Sequence, residues 1–287
     1  MATPSKLSPR DVHTTLNYSS FSTDETPYNY VSAPPDGKPS TNYVPEPHPA
    51  VIYDIRGKED TKSLDENGFA FVKYPSQEKD FVDDGKIKDV YYKELEDLLK
   101  KHVPGVKKIH VFDHTIRRPI GEDSRPSDDR RGPADRAHAD QTYEAGIRRV
   151  HDRFPADAER LLQHRVRIIN VWRPIANPVT HHPLAVADWR TVKPSSELLP
   201  TKVITPTRIG WTYSVKYSPE HTWYYLGGQT PEEVVLIKCF DTEGAEEAAG
   251  KDVATYTPHT AFFDAGSPKE APQRQSIEAR CLLFDME

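Results

Sequence analysis

Glycine is sparse in this 287-residue chain, and no two of its 14 glycines stand two apart. A dinucleotide-binding turn needs G-x-G-x-x-G, and a phosphate loop needs G-x-x-x-x-G-K. Neither is present, so a nicotinamide dehydrogenase, a P-loop NTPase and a nucleotide-type methyltransferase all lose support. The absence of G-x-S-x-G removes the nucleophile elbow of an α/β-hydrolase. Cysteine is scarcer still. Cys239 and Cys281 lie in apolar runs, and two thiols make neither a metal cluster nor a disulfide framework. They read as reduced and buried. Basic charge is not in excess either: 38 Lys and Arg against 44 Asp and Glu give a net charge of −6. That balance argues against nucleic acid or an anionic membrane as the main partner. No apolar run reaches membrane-spanning length and no signal segment is visible, so a soluble, cytoplasmic protein is expected.

Proline is abundant, with 26 residues. Pro34, Pro35, Pro39, Pro45, Pro47 and Pro49 block regular helix over residues 1–50, which read as an extended arm lying on the body. The stripe Val90, Tyr91, Leu95, Leu98 and Leu99 predicts a helix over 88–102. Residues 106–112 alternate as a strand, and 142–154 read as a helix. Beyond these the pattern is mainly strand: 166–172, 184–189, 211–217, 222–226, 234–240, 260–264 and 276–284. Many short strands separated by turn signals predict a mainly β fold, a sandwich or barrel with flanking helices. No linker marks a boundary, so one domain over 1–287 is expected, with its catalytic core at about 105–285.

A non-haem Fe(II) centre needs two imidazoles and one carboxylate on one face of the metal, with the remaining positions open. Alternate residues of a strand point the same way, so the first imidazole and the acid come as H-x-D/E. His138-Ala139-Asp140 is the one H-x-D/E in the chain. Composition alone gives about two such tripeptides, so the match carries little by itself. His259, just before a predicted strand, supplies the distal imidazole, with His221 as a competitor. Arg274-Gln275-Ser276 decides between them, opening the last strand fifteen residues after His259. A guanidinium and a hydroxyl on one strand face suit the distal carboxylate of 2-oxoglutarate. The other R-x-S, Arg125-Pro126-Ser127, precedes the H-x-D and fits no such order. The same parity puts Glu278 and Arg280 on the site face. Either they pair with each other, or a bulge resets the register.

Several segments resemble the fungal AsaB-like hydroxylase/desaturase family, which is related to gibberellin desaturase. They are Arg165–Ile175, Pro183-Leu184-Ala185 with Asp188, Tyr217–His221 with Trp223-Tyr224-Tyr225, Thr257–Phe262 and Arg274–Arg280. The likeness covers roughly residues 105–285. It implies a double-stranded β-helix (jelly-roll) core, Fe(II), 2-oxoglutarate and O2 as cosubstrates, and oxidation of a small molecule in secondary metabolism.

Other polar residues carry two readings each. Asn170 and Trp172 share one strand face while Arg173 points to the other. Asn170 or Arg173 contacts 2-oxoglutarate or an acidic substrate, or Arg173 anchors a carboxylate such as Asp188. Arg117, Arg118, Arg130 and Arg131 either clamp a substrate carboxylate or form a solvated charge run. His181-His182 is discounted as a metal pair, because adjacent strand residues face apart. The expected activity is oxidation of an unactivated C–H bond in a small, carboxylate-bearing metabolite or amino acid, by hydroxylation, desaturation or cyclisation. Two alternatives stay open: an iron oxidase that uses no 2-oxoglutarate, and a non-catalytic ligand-binding barrel. A homo-oligomer is also left open.

Overall fold

The computed structural model describes residues 9–21, 25–35, 37–119, 132–244 and 253–287. Strands are numbered β1 to β14 in chain order. The larger sheet runs, edge to edge, β1 (Val12–Ser20), β3 (Val44–Asp54), β11 (Trp223–Tyr225), β8 (Leu184–Ala187), β13 (His259–Ala261), β6 (His138–Ala139), β10 (Ile209–Val215), β9 (Leu198–Ile204) and β2 (Tyr28–Tyr30). The smaller runs β4 (Phe69–Lys73), β12 (Glu233–Asp241), β7 (Val166–Pro174), β14 (Ser276–Phe284) and β5 (Lys108–Arg117).

Two-residue alternation splits the smaller sheet into two faces. Val166, Ile168, Trp172, Val235, Ile237, Cys239, Leu282 and Phe284 meet Val186 and Leu226 in an inner core between the sheets. Ile169, Val171, Leu236, Ile277, Ala279, Cys281 and Leu283 face the other way. The helix Tyr92–His102 covers that outer face with Leu95, Leu98 and Leu99, all fully buried. Each buried leucine contributes roughly 2 kcal/mol, which is what fixes this amphipathic helix on the sheet. The turn before it, Ile87–Tyr91, is a π-helix, so the helical run starts slightly earlier than the apolar stripe predicts. Cys239 and Cys281 are free and buried, as expected.

The helix Tyr143–Arg153 starts where Thr142 Oγ1 accepts from the Ala145 amide at 3.2 Å. Its Gly146 is required by close approach, because a Cβ there would lie 2.3 Å from the Phe240 ring. This close contact seats the helix directly behind the H-x-D segment.

The N-terminal stretch is more regular than an extended arm. β1 and β3 pair antiparallel over their length, from Val12 opposite Ile52 to Ser20 opposite Val44. Pro45, Pro47 and Pro49 alternate within β3, so the missing N–H groups all fall on one edge. The other edge stays free to pair. Beyond the prolines, β3 runs parallel to β11 from Ile52 to Asp54. The strand expected over 184–189 stops at Ala187, because the Asp188 carboxylate accepts from the Arg190 amide and starts a 3₁₀ turn. Among the described residues, no helix is long and apolar enough to cross a membrane.

Candidate metal and cosubstrate site

Strand pairing brings the proposed ligands together. β13 and β6 are neighbours, and His259 is the Cα partner of His138 across the ladder. The two rings lie 4.5 Å apart, centroid to centroid. Asp140 is two residues beyond His138, so its carboxylate returns to the same side. One ligand atom from each of His138, Asp140 and His259 lies within 4.8 Å of the others. Asp140 Oδ1 is 3.5 Å from His138 Nε2 and 3.9 Å from His259 Nε2.

The donor chemistry fits a divalent metal. His138 Nδ1 lies 2.8 Å from the Arg136 carbonyl oxygen, and His259 Nδ1 lies 2.9 Å from that of Thr257. A carbonyl only accepts, so each Nδ1 carries the proton and donates it. Each Nε2 is left facing Asp140 Oδ1, and with Nδ1 engaged by a carbonyl it is the nitrogen available to a metal. Burial, followed by the neighbouring His138, pushes His259 down to about 4, so its ring is neutral. Burial works to raise the Asp140 carboxyl, but His138, His259 and Arg280 together hold it well below its ordinary range. A neutral His259 imidazole and an ionised Asp140 carboxylate therefore stand together beside the His138 ring.

The outer oxygen of Asp140 is also held. Asn170 Nδ2 donates to Asp140 Oδ2 at 2.5 Å and to Glu278 Oε1 at 2.6 Å. Arg280 lies opposite Asn170 in the β14–β7 ladder. It approaches Asp140 Oδ2 at 3.7 Å and Glu278 at 3.3 Å, and pairs with Asp113 at 2.9 Å. Glu278 and Arg280 thus share the inner face and pair there. The β14–β5 ladder shifts register only after Arg280. Burial raises the Glu278 carboxyl, and Asp140 adds to the effect against the pull of Arg280.

A narrow cleft opens beside the histidines, bounded by Trp172, Leu184, Thr260, Arg117, Arg274 and Glu278. Arg274 is 7% exposed. It donates to the His182 carbonyl at 2.5 Å and stands 5.5 Å from the centre of the Trp172 ring. Among the described residues, no carboxylate lies within ion-pair distance of it. Burial, and then the nearby Arg117, push it down to about 9 while Glu278 opposes them. A buried cation without an anion is costly, which makes this cleft a receptor for a carboxylate. β14 starts at Ser276, not at Arg274 as expected; Ser276 is buried opposite Arg117 and Pro174 and does not line the cleft.

The remaining candidates fall elsewhere. Arg173 points to the outer face, as strand alternation demands. Its guanidinium donates to the Tyr74 carbonyl at 2.7 Å and sits 5.3 Å from the Tyr91 ring centre, away from the cleft. Asp188, its suggested anchor, pairs instead with Arg190 and Lys62. His221 is bound to Glu197 at 2.8 Å and stacks on Tyr18, so it is spoken for. His181 bonds the Ala271 carbonyl. Arg118 donates to the Asp80 carbonyl, and Arg117 donates to that of Gly132 while lining the cleft. Arg130, Arg131 and Arg125-Pro126-Ser127 lie outside the described residues. Sequence reading did not single out Trp172 or Thr260 as cleft walls. The only signal was their parity with Asn170 and their position next to His259.

A protein-family profile described as "Oxidoreductase/YMDC permease-like domain" matches residues 16–284. The hydroxylase/desaturase efuI of Hormonema carpetanum is 36% identical over 266 residues, covering 85% of this chain and 86% of that protein. The Fe(II)/2-oxoglutarate-dependent dioxygenase nvfI of Aspergillus novofumigatus is 31% identical over 262 residues, covering 89% and 90%. The chain belongs to the fungal hydroxylase/desaturase family of Fe(II)/2-oxoglutarate-dependent dioxygenases. A solved structure of the iron and alpha-ketoglutarate-dependent endoperoxidase NvfI superposes with a TM-score of 0.84 at 30% identity, covering 96% of this chain and 98% of that one. The mainly β, double-stranded β-helix architecture of the hydroxylase/desaturase family is therefore the fold seen here.

Proposed function

We propose that His138, Asp140 and His259 hold Fe(II), that the cleft ending at Arg274 takes 2-oxoglutarate, and that the protein oxidises a C–H bond of a small, carboxylate-bearing metabolite. The observation that carries this reading is the buried Arg274 guanidinium, without a counter-ion among the described residues, in the same cleft as both histidines. A structural triad would need no such cation. When bound, the iron and the cosubstrate supply the oxidising power: O2 and 2-oxoglutarate are consumed, carbon dioxide and succinate are released, and one oxygen atom is left for the substrate.

The side chains bind, orient and exclude water. The Arg136 and Thr257 carbonyls fix the histidine tautomers. Asn170 and Arg280 restrain Asp140 Oδ2, so that Oδ1 faces the histidines. Trp172, Leu184 and Ile237 give the cleft apolar walls that strengthen the attraction between Arg274 and an incoming carboxylate. Two buried free thiols suit a reducing compartment such as the cytoplasm.

Anaerobic titration of the purified protein with Fe(II) and 2-oxoglutarate tests the proposal through the weak visible charge-transfer band of the chelate. The band should form with one equivalent of iron, vanish in His138→Ala and His259→Ala, and persist in His221→Ala. A band that needs His221, or none in the wild type, would reject the ligand assignment.

A further inference from the structure

Two spaces adjoin the ligand set. One is the cleft that holds His138, His259 and Arg274; the other, lined by Asp140 and sharing no wall residue with the first, is a wider cavity of about 520 Å³. That volume is in the range of small-molecule sites. Asp140 and Arg280 lie at its base, the helix Tyr143–Arg153 forms one wall, and β9 and β10 form the other. The charges in this cavity do not balance. Arg280 is committed to Asp113 and Glu278, and the Asp140 charge belongs to the ligand set. What remains is Arg148, Arg149 and Arg208, against Asp152 alone.

Arg149 is the deepest of the three. It is half-buried, its Nε is buried without a hydrogen-bond partner among the described residues, and its guanidinium stands 5.1 Å from the centre of the Phe112 ring. Burial, and next the Arg208 guanidinium, lower its proton affinity. Arg208 and Arg148 are exposed at the mouth. The rest of the lining is mixed: Val31, Val203, Ile209 and Trp211 form an apolar patch on the β2–β9–β10 side, interrupted by Thr205 and Thr212, with Thr115 and Gln141 also in the wall. Ile209 is 54% exposed and stands beside Val203 and Trp211 in this wall.

We infer that this cavity is the substrate subsite, that it selects an amphiphilic organic carboxylate, and that Arg149, helped by Arg208, is the residue that reads the carboxylate while Trp211, Ile209 and Val203 hold the apolar skeleton. This rests on the reading of the iron and 2-oxoglutarate site given above, and it deepens that reading by naming which arginines choose the substrate. Arg149 has two features suited to this role: a planar donor fork that matches a carboxylate, and partial burial that excludes competing water. The Arg274 cleft is separate, so the cosubstrate and the substrate would not compete for one guanidinium.

The test uses the full chain loaded anaerobically with Fe(II) and 2-oxoglutarate, titrated in a calorimeter with ω-phenylalkanoates of two to six methylenes and with the matching amides. At least one acid should bind the wild type tenfold or more tightly than its amide, the size of one charge-assisted contact. Arg149→Gln should abolish the preference, Arg149→Lys should recover part of it, and Arg208→Gln should weaken it several-fold. Arg173→Gln, on the outer face, should leave it unchanged. Equal binding of every acid and its amide, or a preference that survives in Arg149→Gln, would overturn the inference. Calorimetry reads probe binding whether or not the chelate band forms. Absence of the band would therefore count against the iron and 2-oxoglutarate reading, while absence of an acid preference in the wild type, or its survival in Arg149→Gln, counts against the role of Arg149.

Discussion

Replacing Arg274 by methionine separates cosubstrate binding from stability, because the two should move in opposite directions. In the wild type the guanidinium is buried, with a carbonyl and an aromatic ring for company. Losing the His182 bond costs about 1 kcal/mol, and losing the cation–π contact costs about 1 kcal/mol more. Against this stands the penalty for burying an unpaired charge, which is several kcal/mol. An apolar chain of similar length removes that penalty and fills the space. The ligand-free variant should therefore match or exceed the wild type by about 1–2 kcal/mol, roughly 2–8 °C in melting temperature. The 2-oxoglutarate carboxylate loses its charged partner, about 3 kcal/mol, so its dissociation constant should rise about 100-fold. Anaerobic titration of the chelate band gives the affinity, and calorimetric melting of the metal-free protein gives the stability. Affinity within threefold of the wild type, or a melting temperature that falls by more than about 5 °C, would refute the reasoning.

Asn170→Ala should weaken Co(II) or Fe(II) binding by about 10- to 100-fold, measured by competition with a chromophoric chelator, because Asp140 Oδ2 loses its fixed donor. Gly146→Ala should destabilise by about 1–3 kcal/mol despite better helix propensity, since its Cβ meets the Phe240 ring; Phe240→Leu should restore part of the loss in denaturant melts. Asp65→Asn tests the network around buried Lys238. Burial opposes it, but Lys238 and Arg165 hold the Asp65 carboxyl down to about 2 from 3.8. Its stabilisation should be full above about pH 4 and be lost as pH falls toward 2. Asp65 is half exposed, so the gap between wild type and variant should be about 1 kcal/mol at pH 7 and close near pH 2.

Legibility from sequence followed the physics of each element. Buried strands such as Val166–Pro174 and Ser276–Phe284 are legible because β-branched and other apolar residues dominate a run of strand length, even with Arg167, Asn170, Arg173, Glu278 and Arg280 among them. The triad was readable because a metal demands specific residue types in a fixed order. β3 was hidden by its alternating prolines and β9 by Pro200, since a proline in an edge-paired strand looks like a loop. Asn170 reads from sequence as a contact to 2-oxoglutarate or an acidic substrate, whereas its side chain bonds Asp140 and Glu278: that contact depends on a cross-sheet distance that no local pattern encodes. Arg149 was invisible for the same reason. It sits on an ordinary amphipathic helix, and only the packing of that helix against Phe240 turns it toward the ligand set.

Anomalous diffraction from crystals grown anaerobically with Mn(II) and 2-oxoglutarate addresses the central claim most directly. The account predicts one strong peak bound by His138 Nε2, His259 Nε2 and an Asp140 oxygen, with the far carboxylate of 2-oxoglutarate on Arg274. A peak bound by His221, or an ordered 2-oxoglutarate that makes no contact with Arg274, would contradict it.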